Sequence, residues 1–204
     1  KKEGLYDDTL FIIAADHGEH FGEHGLAYHS FSLFEELLNV PLIIKWPENY
    51  GLSDRVPPEG VSHDLVSLVD VAPTICEWMD LTVPSEMQGR DLTTNPGHDA
   101  VFAEYDRPQP PKRDRLLNEY PDFEAYDRGL QVVRTSEFKL IRSTTGQETL
   151  YKVENEGETP IENAEIQQRL SKLMNEILNS VPDADVDEEL SEYVKTNLEK
   201  MGYL

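Results

Sequence analysis

The sequence predicts an α/β fold: part of a mostly parallel sheet flanked by helices, followed by a small antiparallel α+β subdomain. Three observations lead there. Two short, unbroken apolar runs, residues 9–15 and 41–46, are separated by enough chain for a crossover between parallel neighbours. Three strand-like segments follow one another closely after Gly129, with polar turns between them. Two stretches near the end place apolar residues at helical spacing.

Taken in order, Thr9-Leu10-Phe11-Ile12-Ile13-Ala14-Ala15 is rich in branched and aromatic residues and reads as a strand buried on both faces. It stops at Asp16-His17-Gly18, and a polar loop rich in histidine and glycine runs on to about Ser32. Residues 33–38 make one or two helical turns, and Pro41-Leu42-Ile43-Ile44-Lys45-Trp46 is the second buried strand, closed by Pro47. After a loop rich in proline and glycine, Asp70 caps a helix that reaches about Met79, with Pro73 tolerated in its first turn. Residues 100–105 form another strand. Residues 106–128, charged and with prolines at 108, 110, 111 and 121, read as a long surface loop of the kind that is often functional. Strands at 130–134, 138–142 and 149–153 make the meander. Helices at about 163–179 and 187–201 close the chain, the first with Ile166, Leu170, Leu173, Met174 and Ile177 on one face. The expected division is therefore 1–105, a surface loop at 106–128, and an antiparallel subdomain at 129–204.

Composition narrows the partners. Forty acidic residues against 18 basic ones give a formal net charge of −22, spread from end to end. Such a field repels nucleic acid and anionic membrane surfaces, which argues against both. It reads as adaptation to high salt, or more plainly as an acidic soluble protein. No apolar run approaches the ~18 residues that span a bilayer. The single cysteine, Cys76, lies in an apolar helical pattern and reads as a small core residue. The first residues show neither an initiator methionine nor a signal-peptide pattern, so the chain reads as beginning partway through something. Acidity and one cysteine lean toward the cytoplasm.

The chemistry is concentrated in Asp16-His17-Gly18-Glu19-His20-Phe21-Gly22-Glu23-His24-Gly25-Leu26-Ala27-Tyr28-His29, which holds four of the six histidines. Open α/β sheets place ligand sites just past the carboxyl ends of strands. Asp16 and His17, side by side at such an end, offer an oxygen and an imidazole to one divalent cation. Gly18 lets the backbone turn close by without a Cβ. Two ligands do not complete a site, so others must come from elsewhere. His20 and His24 read as loop-fixing groups, Glu19 and Glu23 as orienting or solvated carboxylates, Lys45 as a side chain reaching for the surface, and His63 and His98 carry no signal. Tyr105, Asp106 and Arg107 line a cleft only by position.

Asp-His-Gly-Glu-x-x-Gly-Glu-His-Gly after an apolar strand, then Leu33-Phe34-Glu35-Glu36 and Val40-Pro41-Leu42-Ile43-Ile44-Lys45-Trp46-Pro47, resembles the sulfatase family of the alkaline phosphatase superfamily. The likeness continues in order through Val69-Asp70-Val71-Ala72-Pro73-Thr74, Gly89-Arg90-Asp91-Leu92, Phe138-Lys139-Leu140-Ile141 and Glu148-Thr149-Leu150-Tyr151. The resemblance implies an alkaline-phosphatase-like fold and a sulfate-ester substrate. Asp16 and His17 would be two protein ligands of a single divalent cation, Ca²⁺ first, with Mn²⁺, Mg²⁺ or Zn²⁺ as alternatives. His29 falls where the superfamily often places a group that contacts the transferred group or assists the leaving oxygen. Arylsulfatases often carry Asn at the position of His17, a departure that shifts the metal from calcium toward manganese or zinc.

The family's nucleophile, a formylglycine made from Cys or Ser in a Cys/Ser-x-Pro/Ala-x-Arg motif, has no counterpart in these 204 residues, and Cys76 is followed by Glu77, Trp78 and Met79. The expectation is the C-terminal portion of a sulfuric ester hydrolase, inactive alone, whose partner is the missing N-terminal half. A phosphodiesterase, phosphonate hydrolase or phosphoethanolamine transferase of the same superfamily is the second reading, and a non-catalytic truncated relic the third.

Overall fold

Five strands that pair only with their chain neighbours dominate the computed structural model, which describes residues 3–48, 60–94, 97–107, 110–154 and 157–180. They are β5 (Ala100–Tyr105), β6 (Leu130–Thr135), β7 (Phe138–Ser143), β8 (Glu148–Glu154) and β9 (Gly157–Pro160), antiparallel throughout. The meander read from the sequence is present, and it is wider at both edges. β5 joins it across the intervening segment, pairing Phe102 with Val133 and Tyr105 with Leu130.

Both faces of this sheet are covered, which explains why its central strands are apolar at successive positions. Val133, Leu140 and Leu150 face α4 (Ala164–Ser180) and pack on Leu170 and Met174, all essentially inaccessible. Their neighbours Leu130, Val132 and Ile141 point the other way and pack on Leu33. Alternate side chains leave a strand on opposite faces, so adjacent apolar residues require two coverings. Each of these fully buried aliphatic side chains contributes about 1.5–3 kcal/mol.

The N-terminal region departs from expectation. β1 (Phe11–Ala14) and β4 (Leu42–Lys45) are strand neighbours, but antiparallel, with Phe11 opposite Lys45 and Ala14 opposite Leu42. The parallel arrangement is not found among the described residues. The connecting chain holds a hairpin of two-residue strands, β2 (His20–Phe21) with β3 (Ala27–Tyr28), a 3-10 turn between them at Glu23–Gly25, and one helical turn, α1 (Glu35–Leu38). It doubles back at the end of β1 where it began instead of crossing to the other end, as a parallel neighbour requires. Nor are the two strands buried on both faces: Phe11, Ile13 and Ile43 are exposed, the last two more than half. Lys45 does not reach solvent freely; its ammonium donates to the carbonyls of Tyr6, Asp7 and Thr9 and sits 4.5 Å over the Tyr6 ring.

Two further expectations change. Residues 106–128 are not an irregular loop, since they contain α3 (Pro110–Glu119) and a 3-10 turn, Pro121–Tyr126. The amphipathic signal is weak there because few apolar side chains are needed: among the described residues of this stretch, Leu116 and Phe123 are the buried ones, against Leu26 and Phe31. Asp70 is not the side-chain cap of α2 (Val71–Trp78). It is completely buried, accepts the backbone N–H groups of Ser67 and Arg90 at 2.8 Å each, and pairs with His98 at 2.9 Å. It joins three segments, a role that helix-cap spacing does not reveal. The helix expected at 187–201 lies outside the described residues.

Candidate functional site

β1 delivers the chain to Asp16 and His17. The His17 backbone N–H donates to Asp16 Oδ1 at 3.1 Å, and its ring Nδ1 lies 2.7 Å from the Gly18 carbonyl. A carbonyl oxygen can only accept, so Nδ1 carries the proton and Nε2 presents a bare lone pair. That Nε2 lies 3.9 Å from Asp16 Oδ2, a separation that two ligands on one cation can adopt, each about 2.0–2.2 Å from the ion. Both side chains are substantially exposed. Gly18 is required here. A Cβ would stand 1.8 Å from the Glu36 carbonyl oxygen, and the Gly18 N–H donates to Leu37 O at 2.9 Å. The absence of a side chain lets the site loop lie directly against α1.

His29 returns to the same place from β3. Its ring stacks on His17 with centroids 4.3 Å apart, its Nδ1 faces Glu19 Oε2 at 3.3 Å, and its Nε2 faces Lys112 Nζ at 3.3 Å. Ligating atoms of His17, Glu19 and His29 lie within 4.8 Å of one another, so these residues could also contribute to holding a cation. The loop that achieves this is strained. His24, Tyr28 and Phe31 have φ of 56°, 68° and 71°, a region that residues other than glycine enter rarely and at a cost of about 1–3 kcal/mol each. The packing that offsets this cost is visible: Leu26 and Phe31 are 1% exposed and lock against Leu116 and Phe123.

The other two histidines of the motif are structural. His20 is buried, its Nε2 2.6 Å from Ser32 Oγ, and its Nδ1 has no hydrogen-bond partner among the described residues. Burial holds its pKa below the usual histidine range. His24 stacks on Phe34 at 3.8 Å and pairs with Glu36 at 3.3 Å. Glu23 accepts the Phe21 N–H at 2.6 Å, and such backbone hydrogen bonds lower its pKa.

With this geometry in place, comparison with known proteins is informative. The family model described as Sulfatase matches residues 1–81, the stretch that carries β1, the Asp-His pair, β4 and α2. Over those residues the chain resembles the sulfatases. Among curated relatives, the multifunctional alkaline phosphatase superfamily protein PehA of Trinickia caryophylli is 36% identical over 44% of this chain. The N-acetylglucosamine-6-O-sulfatase of Bacteroides thetaiotaomicron is 33% identical over 45% of it. The chain spans only 16% and 15% of those two proteins. Among solved structures, BT4656 in complex with its substrate D-glucosamine-2-N,6-O-disulfate superposes with a TM-score of 0.61 at 24% identity, covering 93% of this chain and 38% of that one. The phosphonate monoester hydrolase of Agrobacterium radiobacter gives 0.62 at 23% identity, over 87% and 36%. At such identities the structural likeness shows the fold, and it extends beyond the sulfatase segment across the antiparallel sheet.

Asp16, His17 and His29, chosen from the sulfatase motif, thus meet at one place. Among the described residues, no hydrogen bond, ion pair or ring contact joins Tyr105, Asp106 or Arg107 to them. Two groups escaped the sequence: Glu19 had been read as orienting or solvated without a partner to orient, and Lys112 was hidden in a charged segment read as loop. Only the pairing of α3 with the 26–31 loop makes Lys112 a neighbour of His29.

Proposed function

We propose that this chain is the C-terminal portion of a metal-dependent sulfuric ester hydrolase. The observation that carries the reading is the pair Asp16 and His17, with the lone pair of His17 Nε2 freed by the bond of Nδ1 to Gly18 and standing 3.9 Å from Asp16 Oδ2, inside a sulfatase-family segment. A carboxylate oxygen and a neutral imidazole fit a divalent cation. A cation held there would supply the positive charge that stabilises the oxygens of the sulfate group during displacement.

The chain's own residues do the rest. Asp16 and His17 are held by backbone contacts, so their positions do not have to be ordered when a cation arrives. Glu19 fixes the ring of His29, and His29 stacks on the outer face of His17. The nucleophile and the remaining ligands would come from the missing N-terminal half, and the chain alone would be inactive. The exposed apolar residues Phe11, Ile13 and Ile43 of β1 and β4 suit a surface that this half covers.

A second reading, hydrolysis of phosphonate or phosphodiester bonds, is raised by a relative described as a multifunctional alkaline phosphatase superfamily protein and by the fold shared with a phosphonate monoester hydrolase. Intact mass and a peptide map of the protein from its native source, followed by assay on aryl sulfate, phosphonate monoester and phosphodiester substrates, test both. The sulfatase reading expects a mass about twice that of this chain, a formylglycine peptide and preference for sulfate. A mass equal to the 204 residues, or no turnover of any sulfate ester by a longer protein, rejects it.

A further inference from the structure

The two ring nitrogens of His29 are both engaged, and this redirects attention to its neighbour. A carboxylate can only accept and an ammonium can only donate, so the contacts with Glu19 and Lys112 place the proton of His29 on Nδ1 and the lone pair on Nε2. A histidine in that state has no N–H left to offer an anion. The ammonium of Lys112 does: it spends one N–H on His29 and keeps two.

Lys112 is not there by accident of a mobile side chain. It sits in the first turns of α3, and α3 is fastened on several sides. Leu116 is 4% exposed and packs with Leu26, Phe31 and Phe123. Arg113 donates through Nε to Asp127 at 2.6 Å, and its Nη2 makes a second bond to the same carboxylate. Tyr120 meets Tyr28, the residue before His29, with hydroxyls 3.2 Å apart. Among the described residues Lys139, Lys152 and Lys172 each pair with a carboxylate, while Lys45 donates to backbone carbonyls. Yet among the described residues Lys112 pairs with no carboxylate, and faces a histidine instead. A half-buried ammonium set against a neutral imidazole is an arrangement that an anionic ligand would stabilise.

We propose that Lys112 is an anion-binding residue of this site, and that it, with His29 as its fixed support, takes an oxygen of a sulfate group. The proposal rests on the sulfatase reading for the identity of the anion as a sulfate ester, and names the residue in this chain that recognises it. A charge-assisted hydrogen bond contributes about 1.5–3 kcal/mol, which corresponds to about a ten- to hundredfold change in affinity.

The test uses the full-length protein as wild type, K112M, K112Q and K112R. Inorganic sulfate is the binding probe, by calorimetry, and 4-nitrophenyl sulfate the substrate. The expected result is that K112M and K112Q weaken sulfate binding about tenfold or more and raise KM, that K112R restores both to within about threefold, and that melting temperatures match. K112Q carries the comparison if K112M does not fold. Sulfate affinity and KM unchanged in K112M and K112Q overturn the proposal. Hydrolysis by the wild type with no effect of either substitution removes this inference and leaves the sulfatase reading standing. Sulfate binding that depends on Lys112 in a protein that hydrolyses no sulfate ester does the reverse.

Discussion

Replacing Lys139 by methionine should destabilise the protein by about 3–5 kcal/mol at pH 8, and by much less at pH 5. Lys139 lies on β7 and is completely buried. Its ammonium donates to Leu33 O and to Glu35 Oε1, both at 3.1 Å, and pairs with Glu158 of β9. It therefore fastens the α1 segment, which supports Gly18, to the antiparallel sheet. Methionine fills the same space without the charge. Glu35 would keep Arg134 at 3.4 Å, but the Glu158 side chain, 1% exposed, would have no counter-charge. Burial already raises the Glu158 pKa to about 7 against an opposing contribution from Lys139. Without the lysine it rises further. A carboxyl whose folded pKa exceeds its unfolded value holds its proton more tightly in the folded state, so its contribution favours folding at low pH and is lost as pH rises. In the wild type that loss falls between about pH 4.5 and 7 and is on the order of 3 kcal/mol. In K139M it continues above pH 7, so the gap between the two proteins opens as pH rises. Urea denaturation followed by circular dichroism at pH 5, 6, 7 and 8 measures it, and K139M/E158Q should regain most of the loss at pH 8. A gap that is constant with pH, or below about 1 kcal/mol throughout, would refute the assignment of Glu158 as the stranded group.

Three other outcomes are expected. Gly18→Ala would place a Cβ 1.8 Å from the Glu36 carbonyl, so α1 and the site loop must separate, and calorimetric titration with Mn²⁺ should show affinity reduced about tenfold or more. His98→Ala leaves the buried Asp70 carboxylate with only the N–H groups of Ser67 and Arg90, and should lower stability by about 1.5–3 kcal/mol in thermal melts. Met174→Ala opens a cavity between α4 and Val133, Leu140 and Leu150, at a cost of about 2–5 kcal/mol readable by urea titration.

Much of this was legible from local pattern. Strands β6, β7 and β8, the helix from Ala164 to Ser180 and the strand at β5 follow from side-chain periodicity, because each element's burial is set by which of its own faces is apolar. The candidate residues Asp16, His17 and His29 were picked out for a different reason: they lie within one short stretch, and the resemblance to a known motif names them. The antiparallel pairing of β1 with β4 was not legible. Strand direction depends on which end the connection returns to, and a loop of glycines and histidines carries no signal for that. Helix α3 was missed because its one buried leucine is held by Leu26 and Phe31, far away in sequence.

The amino-acid sequence by itself determined the order of the main elements and pointed to a sulfatase-like segment and to candidate residues for a cation, since these depend on short-range pattern and residue chemistry. Only the tertiary structure decided the state of those residues. The stacking of His29 on His17 closes a twelve-residue loop, and the approach of Lys112 from α3 and the contacts that bury Asp70 and Lys139 arise between segments tens of residues apart, where a hydrogen bond of about 3 Å is fixed by packing that no local pattern encodes.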